Sequence, residues 1–190
     1  NKVLLNNRIA VLYRDRMAKP DRAMRAFESV LKLDAKNLVA AEALIPLYEA
    51  AKDSKKLAGV LEIQLTHTED VATRVERMQR LAELTETSLK DKATAYSWYL
   101  KGFGVDHTAQ WLRPELERLA AEINGFVQLV RCYEEAAPKF TDRVEALPLL
   151  LVVAKVYEEQ IEGADKAIET NRQILGIDEN DHPPVAEVLD

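Results

Sequence analysis

One stretch of seventeen residues occurs twice in this chain in closely related form. It runs from Asp21 to Asn37 (DRAMRAFESVLKLDAKN) and again from Asp165 to Asp181 (DKAIETNRQILGIDEND), so the two copies begin 144 residues apart. That distance equals four steps of 36 residues. Similarity at a fixed period of this size is typical of helical repeat arrays. The repeat therefore restricts the fold more strongly than the chain length does.

Tyrosines mark the same period. Tyr13, Tyr48 and Tyr157 each follow Leu or Val and precede a charged residue, and successive tyrosines are 35 and 109 residues apart. Between the breaks, apolar residues recur at helical spacing, and no alternating strand pattern competes. The sequence predicts an all-α fold of about five helix pairs in a single array over 1–190. The expected units are 1–37, 38–70, 71–106, 107–139 and 140–181, with the start of a further helix at 183–190.

Polar residues and prolines suggest where the helices begin and bend. Asp21, Asn37 and Asp106 are placed to cap the helices that follow them. Pro46 lies well inside an apolar helical stretch, so we expect a kink or an early break there, and we expect Pro148 to kink its helix near the first turns. Two further residues, Trp98 and Trp111, lie on apolar stripes and are predicted to pack in the core.

Charge and cysteine content exclude several classes of function. The net charge is −6, and nothing in the sequence forms the stripe of Lys and Arg that a nucleic acid needs. Cys132 is the only cysteine, so no intrachain disulfide can form. No apolar run approaches the roughly 20 residues of a membrane span. These features favour the cytoplasm and leave the compartment open. The chain looks like a fragment of a longer array, so targeting signals could lie elsewhere.

The repeated positions resemble the tetratricopeptide repeat. In that family the second helix of each pair carries Ala, then a large residue four positions later, then a small or apolar residue. The resemblance covers nearly the whole chain and implies an antiparallel helix pair in each unit and a right-handed superhelix (solenoid) of such pairs. The matching triplets are Ala23, Phe27 and Val30; Ala95, Tyr99 and Gly102; Leu129, Tyr133 and Ala136; and Ala167, Asn171 and Ile174.

Catalytic and metal-binding patterns are weak. Glu179 and His182 have the Glu-x-x-His spacing of di-iron bundles, but we expect them in a turn that leads into prolines, where the motif cannot converge on a metal. His67 and His107 are predicted turn residues, and Cys132 has no histidine placed to activate it. The sequence predicts no enzyme, no cofactor and no metal site.

A ladder of charged residues follows the repeat on the first helix of each pair. The resemblance implies that this helix lines a concave groove, which would be acidic and suited to a basic peptide or helix. The alternative is that these glutamates only solvate good helices. The predicted groove residues are Arg14, Glu42, Glu49, Gln79, Glu83, Glu86, Glu115, Glu122 and Glu158.

Three functions are compatible with this sequence. The favoured one is a protein-interaction scaffold that binds a partner segment in its groove, without nucleic acid and without membrane insertion. The second is an architectural spacer or a self-association segment, in which exposed repeat ends join copies end to end. The third is a helical regulatory domain attached to an enzyme elsewhere in a longer chain.

Overall fold

The structure of this protein, a computed structural model, describes residues 2–17 and 19–181. Over these residues it is built from α-helices and short 3₁₀ helices, with no strand, and the predicted all-α fold is confirmed. The predicted further helix at 183–190 lies outside the described residues. The α-helices are α1 Lys2–Asp15, α2 Pro20–Leu33, α3 Leu38–Ala51, α4 Ser54–Thr66, α5 Val71–Thr87, α6 Lys92–Val105, α7 Arg113–Ile123, α8 Phe126–Ala136, α9 Leu147–Glu159 and α10 Ala164–Asp181. The 3₁₀ helices are Gln110–Leu112, Ala137–Lys139 and Arg143–Ala146.

The helices form pairs in chain order. Each odd-numbered helix contacts the even-numbered helix that follows it, across a connection of two or four residues. Such short connections make packed neighbours antiparallel. The pairs belong to two compact units, an N-terminal unit, Asn1–Val105, and a C-terminal unit, Asp106–Asp190. The predicted five helix pairs are thus confirmed, while their union into a single array stays a prediction.

Three of the turns within pairs contain a residue in the left-handed backbone region. Lys52 joins α3 to α4 with φ 55°, Lys90 joins α5 to α6 with φ 58°, and Asn124 joins α7 to α8 with φ 57°. A left-handed residue after the last helical turn lets backbone N–H groups return to the final carbonyls of the helix. Here the N–H of Lys52 donates to the carbonyl of Glu49.

The predicted caps are right in one case and wrong in two. The Asn37 side chain accepts a hydrogen bond from the N–H of Ala40 and caps α3, as expected. Asp21 is not a cap, because α2 begins at Pro20 and places Asp21 inside its first turn. Asp106 does not cap a helix either. Its carboxylate accepts from the N–H and hydroxyl of Thr108 and forms a turn ahead of a 3₁₀ helix.

Both prolines lie within continuous helices. α3 runs unbroken through Pro46 from Leu38 to Ala51, so no early break occurs there. Pro148 lies in the first turn of α9, in the part of the helix where it was expected. The N–H that proline lacks would have no helical partner at that position, so Pro148 fits the start of the helix.

Most positions that carry the family resemblance form the core. The triplets on α2, α6 and α8 are buried, and Ala167 on α10 is buried as well. Trp98 is half-buried against the core of the N-terminal unit, as predicted. Trp111 is 56% exposed, so its predicted core position is wrong. It lies in a 3₁₀ helix, whose three residues per turn give a different angular phase from an α-helical projection.

Candidate functional site

The first helices of the second and third pairs meet through an ion pair. Arg80 on α5 donates to the carboxylate of Glu49 on α3, and both side chains are 46% exposed. On their buried sides, both helices contribute to the hydrophobic core through residues such as Leu44 and Leu81. The contact shows that exposed positions of consecutive pairs lie side by side. We call this surface the α3–α5 face, made of Glu42, Glu49, Gln79, Arg80, Glu83 and Glu86.

The α3–α5 face stays acidic despite its arginine. Glu42 and Glu83 are exposed and Glu86 is half-buried. The side-chain amide of Gln79 donates to Glu83 Oε1 at 3.0 Å, one helical turn away. The face thus carries four carboxylates, one guanidinium and the neutral Gln79. Among the predicted groove residues of this face, the structure gives contacts of Glu49 with Arg80 and of Gln79 with Glu83, and the sequence analysis missed Arg80.

Arg14, the first predicted groove residue, is not an isolated positive charge. Its Nε lies 2.6 Å from Asp15 Oδ1, and this hydrogen bond raises the pKa of the guanidinium and lowers the pKa of the Asp15 carboxyl. Its guanidinium carbon is 5.9 Å from the centre of the Phe27 ring. The positive charge of Arg14 is therefore balanced by Asp15, and its guanidinium lies over the Phe27 ring.

In the C-terminal unit the predicted groove glutamates are also partnered. Arg118 on α7 donates to Glu115, three residues before it, at 2.6 Å and to Glu122, four residues after it, at 2.8 Å. This spacing places all three side chains on one side of a helix, so the sequence did contain a signal for the pairing. Glu158 on α9 accepts from the Asn171 side chain at 3.0 Å. The acidity of this unit's ladder is thus reduced by Arg118.

A hydrogen-bonded cluster recurs where one helix pair meets the next. In the N-terminal unit, the hydroxyl of Tyr48 on α3 donates to Glu28 on α2 at 3.1 Å. Lys56 on α4 donates to the same Glu28 oxygen at 2.8 Å, and its ammonium lies 5.6 Å from the centre of the Tyr48 ring. Burial and the adjacent carboxylate raise the pKa of Tyr48. We call these three residues the first tyrosine cluster.

The second tyrosine cluster has the same construction in the C-terminal unit. The hydroxyl of Tyr157 on α9 donates to Glu134 on α8 at 2.9 Å. Lys166 on α10 donates to the Tyr157 hydroxyl at 3.3 Å, with its ammonium 5.2 Å from the ring centre. Burial and the hydrogen bond to Glu134 raise the Tyr157 pKa. The tyrosines were predicted to recur, but their carboxylate and lysine partners were not.

An open pocket of about 780 Å³ adjoins the second tyrosine cluster. Glu134 and Lys166 form part of its wall, and the 3₁₀ helix Arg143–Ala146 and α10 form other parts. The sequence analysis did not predict this pocket. Its apolar lining includes Phe140, Leu150, Val153 and Ile177.

The remaining chemically reactive residues have structural contacts. His67 Nε2 lies 2.8 Å from the carbonyl oxygen of Lys36, and the His107 ring meets Phe140 edge-on at 4.7 Å. Burial raises the pKa of the Cys132 thiol to about 11, so it is protonated and weakly nucleophilic near neutral pH. Glu179 lies in α10 and not in the predicted turn, and His182 is outside the described residues.

Within residues 2–17 and 19–181, no group of three or more His, Cys, Asp or Glu side chains is placed to hold a metal ion. In the same part of the chain, no helix combines the length and apolar character needed to span a membrane.

No protein-family profile matches this chain, and no curated protein matches it either. Among solved structures, the alignment with a crystal structure of MamA protein covers 100% of this chain and 98% of the MamA chain, with 16% sequence identity and a TM-score of 0.43. The alignment with a second crystal structure of MamA covers 91% of this chain and 96% of that MamA chain, with 18% sequence identity and a TM-score of 0.40. With TM-scores below 0.5, this likeness supports no conclusion about what the chain binds.

Proposed function

We propose that this protein is a non-enzymatic interaction scaffold that binds a basic segment of a partner protein on the α3–α5 face. The observation that carries the proposal is the contact between Glu49 and Arg80, because it joins the exposed sides of α3 and α5 into one surface. The proposal does not depend on the other predicted groove residues, which stay predictions: Arg14, Glu115, Glu122 and Glu158.

The α3–α5 face is suited to binding because it exists before the partner arrives. Its helices are fixed from behind by buried side chains, and its polar groups already hold one another through Arg80 and Gln79. A receptor that needs little ordering keeps more of its contact energy as affinity. Helical surfaces of this kind bind extended or helical segments along their length.

The charge of the face determines which partner it favours. Glu42 and Glu83 are exposed, so the field they produce reaches approaching ligands, and Arg80 offsets only part of it. Complementary charge speeds association and rejects acidic competitors. We therefore expect Lys- or Arg-rich segments to bind, with an affinity that falls as salt rises.

A matched charge reversal tests this function. In the test variant Glu42→Lys and Glu83→Lys are combined. The control combines Glu62→Lys and Glu69→Lys, which changes the net charge equally at exposed positions on and after α4. Proteins retained by the wild type are quantified after affinity purification with each form. We expect the test variant to retain at least about tenfold less of these proteins than the wild type, and the control to retain the same amount as the wild type. Equal retention by both variants refutes the proposed face.

The alternative of self-association is favoured by one separate observation. α1 exposes Leu5, Ile9 and Leu12, which are 61%, 38% and 49% accessible and share one side of the helix at i, i+4 and i+7. An apolar stripe of this kind can pair with a second copy. Sedimentation velocity of wild type and a Leu5→Lys, Leu12→Lys variant tests it. A concentration-dependent dimer lost in that variant supports self-association, and a wild-type monomer at all concentrations excludes it.

A further inference from the structure

We propose that the pocket of the C-terminal unit is a second binding site, which takes an amphipathic helical segment of a partner protein. Its apolar side chains would rest on Phe140, Leu150 and Ile177, an acidic residue would meet Arg143, and a basic residue would meet Glu169. This site lies entirely within the C-terminal unit and does not depend on the α3–α5 face.

The pocket exists because one connection is long. Ten residues, 137–146, join α8 to α9, whereas four residues, 34–37, join α2 to α3. The longer connection contains two 3₁₀ helices and forms part of the pocket wall. Phe140 anchors it, since the ring is 8% exposed and meets His107 edge-on. This part of the wall is therefore packed against the rest of the unit through Phe140.

Size and lining favour protein side chains as the occupant. A volume of about 780 Å³ exceeds what one apolar side chain fills and can hold one face of a helical turn. Leu150 and Ile177, which are 6% and 9% exposed, form the apolar floor that a ligand would contact, and the fully buried Val153 adds to the packing around them. Helical ligands place apolar residues at i, i+3 and i+4 into grooves of this type.

Charges around the floor define the polar part of the ligand. Glu134 and Lys166 are already engaged with Tyr157. Arg143, on the 3₁₀ helix, has no ion-pair partner among the residues that the structure describes, and Glu169 stands on α10. A ligand of one charge sign would meet one of these two unfavourably. A segment with an acidic residue on one side and a basic residue on the other satisfies both.

Gly176 offers a way to fill the pocket without damaging the fold. It lines the pocket from α10, and a Cβ added there meets nothing within 4 Å. Gly176→Phe should therefore occupy the site while improving the helix propensity of α10. Gly59 on α4 also has open space around its Cβ but lies in the other unit, so Gly59→Phe is the matched control.

The experiment selects displayed random twelve-residue peptides on the full chain and measures the affinity of the enriched peptides by fluorescence anisotropy. We expect peptides with apolar residues at helical spacing flanked by one acidic and one basic residue. Gly176→Phe should weaken them at least tenfold. Gly59→Phe and the Glu42→Lys, Glu83→Lys variant should bind them as the wild type does, which separates this site from the α3–α5 face.

A charge exchange tests the orientation of the ligand. Arg143→Glu should weaken the selected peptides about tenfold, and replacing their acidic residue by lysine should restore binding to that variant. The proposal is overturned if no peptide is enriched, or if Gly176→Phe leaves the affinities unchanged. It is also overturned if Gly176→Phe abolishes a concentration-dependent dimer in sedimentation, because the occupant is then a second copy of this chain.

Discussion

The two tyrosine clusters use equivalent residues and differ in what surrounds them. Glu28, Tyr48 and Lys56 precede their counterparts Glu134, Tyr157 and Lys166 by 106, 109 and 110 residues, close to three repeat steps. In the first cluster the lysine bonds the carboxylate, and in the second it bonds the tyrosine hydroxyl.

The connection beside each cluster accounts for the difference in the surrounding surface. A four-residue connection follows α2, while a ten-residue connection follows α8 and helps to form the pocket that Glu134 and Lys166 line. The repeated residues thus reproduce a hydrogen bond between helix pairs, and the connection decides which surface develops next to it. Function in such a chain can change through its loops while the helix contacts are kept.

The largest expected effect tests the anchor of the long connection. Phe140→Ala should lower the free energy of unfolding by about 3–5 kcal/mol, because it removes a buried ring and leaves a cavity. Lys36→Ala, an exposed change on the short connection, should stay within about 0.5 kcal/mol. Urea denaturation measures both. A loss below about 1 kcal/mol for Phe140→Ala contradicts the role of the ring as an anchor.

The next effect concerns the space around Tyr157. A Cβ at Gly163 would lie 2.6 Å from Tyr157 Cδ1, so the ring must shift. Gly163→Ala should therefore cost about 1–3 kcal/mol in the free energy of unfolding. Gly59→Ala, with open space around its Cβ, should instead stabilise α4 by about 0.5–1 kcal/mol. Thermal and urea unfolding report both, and equal stability of Gly163→Ala and wild type contradicts the close contact.

Removing each tyrosine hydroxyl sharpens the comparison of the clusters. Tyr157→Phe breaks hydrogen bonds to both Glu134 and Lys166, so we expect a loss of about 1–2 kcal/mol. Tyr48→Phe leaves the Lys56 bond to Glu28 in place and should cost about 0.5–1 kcal/mol. Matched urea denaturation curves measure the difference. The reverse order would show that the lysine position is not what distinguishes the clusters.

The smallest expected effect depends on pH. The hydrogen bonds from Lys56 and then Tyr48 lower the pKa of Glu28 below its ordinary value of 4.5. A carboxyl with a lowered folded-state pKa stabilises the fold above the unfolded-state value, and this contribution is lost as pH falls through the folded-state pKa. Glu28→Gln should cost about 1 kcal/mol or less near neutral pH, because the pair is partly exposed. The difference from wild type should vanish in acid, and a constant difference contradicts the assignment.

The sequence predicted the parts of this fold that depend on local periodicity and turn chemistry. The repeat predicted the helix pairs, and the Asn37 cap formed because its side chain reaches a free N–H three residues on. Trp111 was predicted wrongly because the residues around it form a 3₁₀ helix and not an α-helix. The prediction at Asp106 failed for a similar reason, since this residue precedes a 3₁₀ helix and not the α-helix that the pattern placed there.

The candidate sites were less predictable because they depend on contacts between helices. The acidic ladder followed from the repeat period, but the partner of Glu49 lies 31 residues away on another helix, which no local pattern connects. The pocket depends on how Phe140 folds back in a long connection, and its apolar residues looked like ordinary core positions. By contrast, the pairing of Arg118 with its neighbours could have been predicted from their spacing.

The left-handed residues at Lys52, Lys90 and Asn124 suggest how such a chain can change length. Each closes its own hairpin with the same backbone geometry, using only atoms near the turn. The turn of each such helix hairpin therefore forms without contacts to the rest of the chain. Gene duplication or deletion can add or remove a hairpin without a new turn having to evolve. Arrays of this kind can diversify by gaining and losing whole hairpins as well as by changing individual side chains.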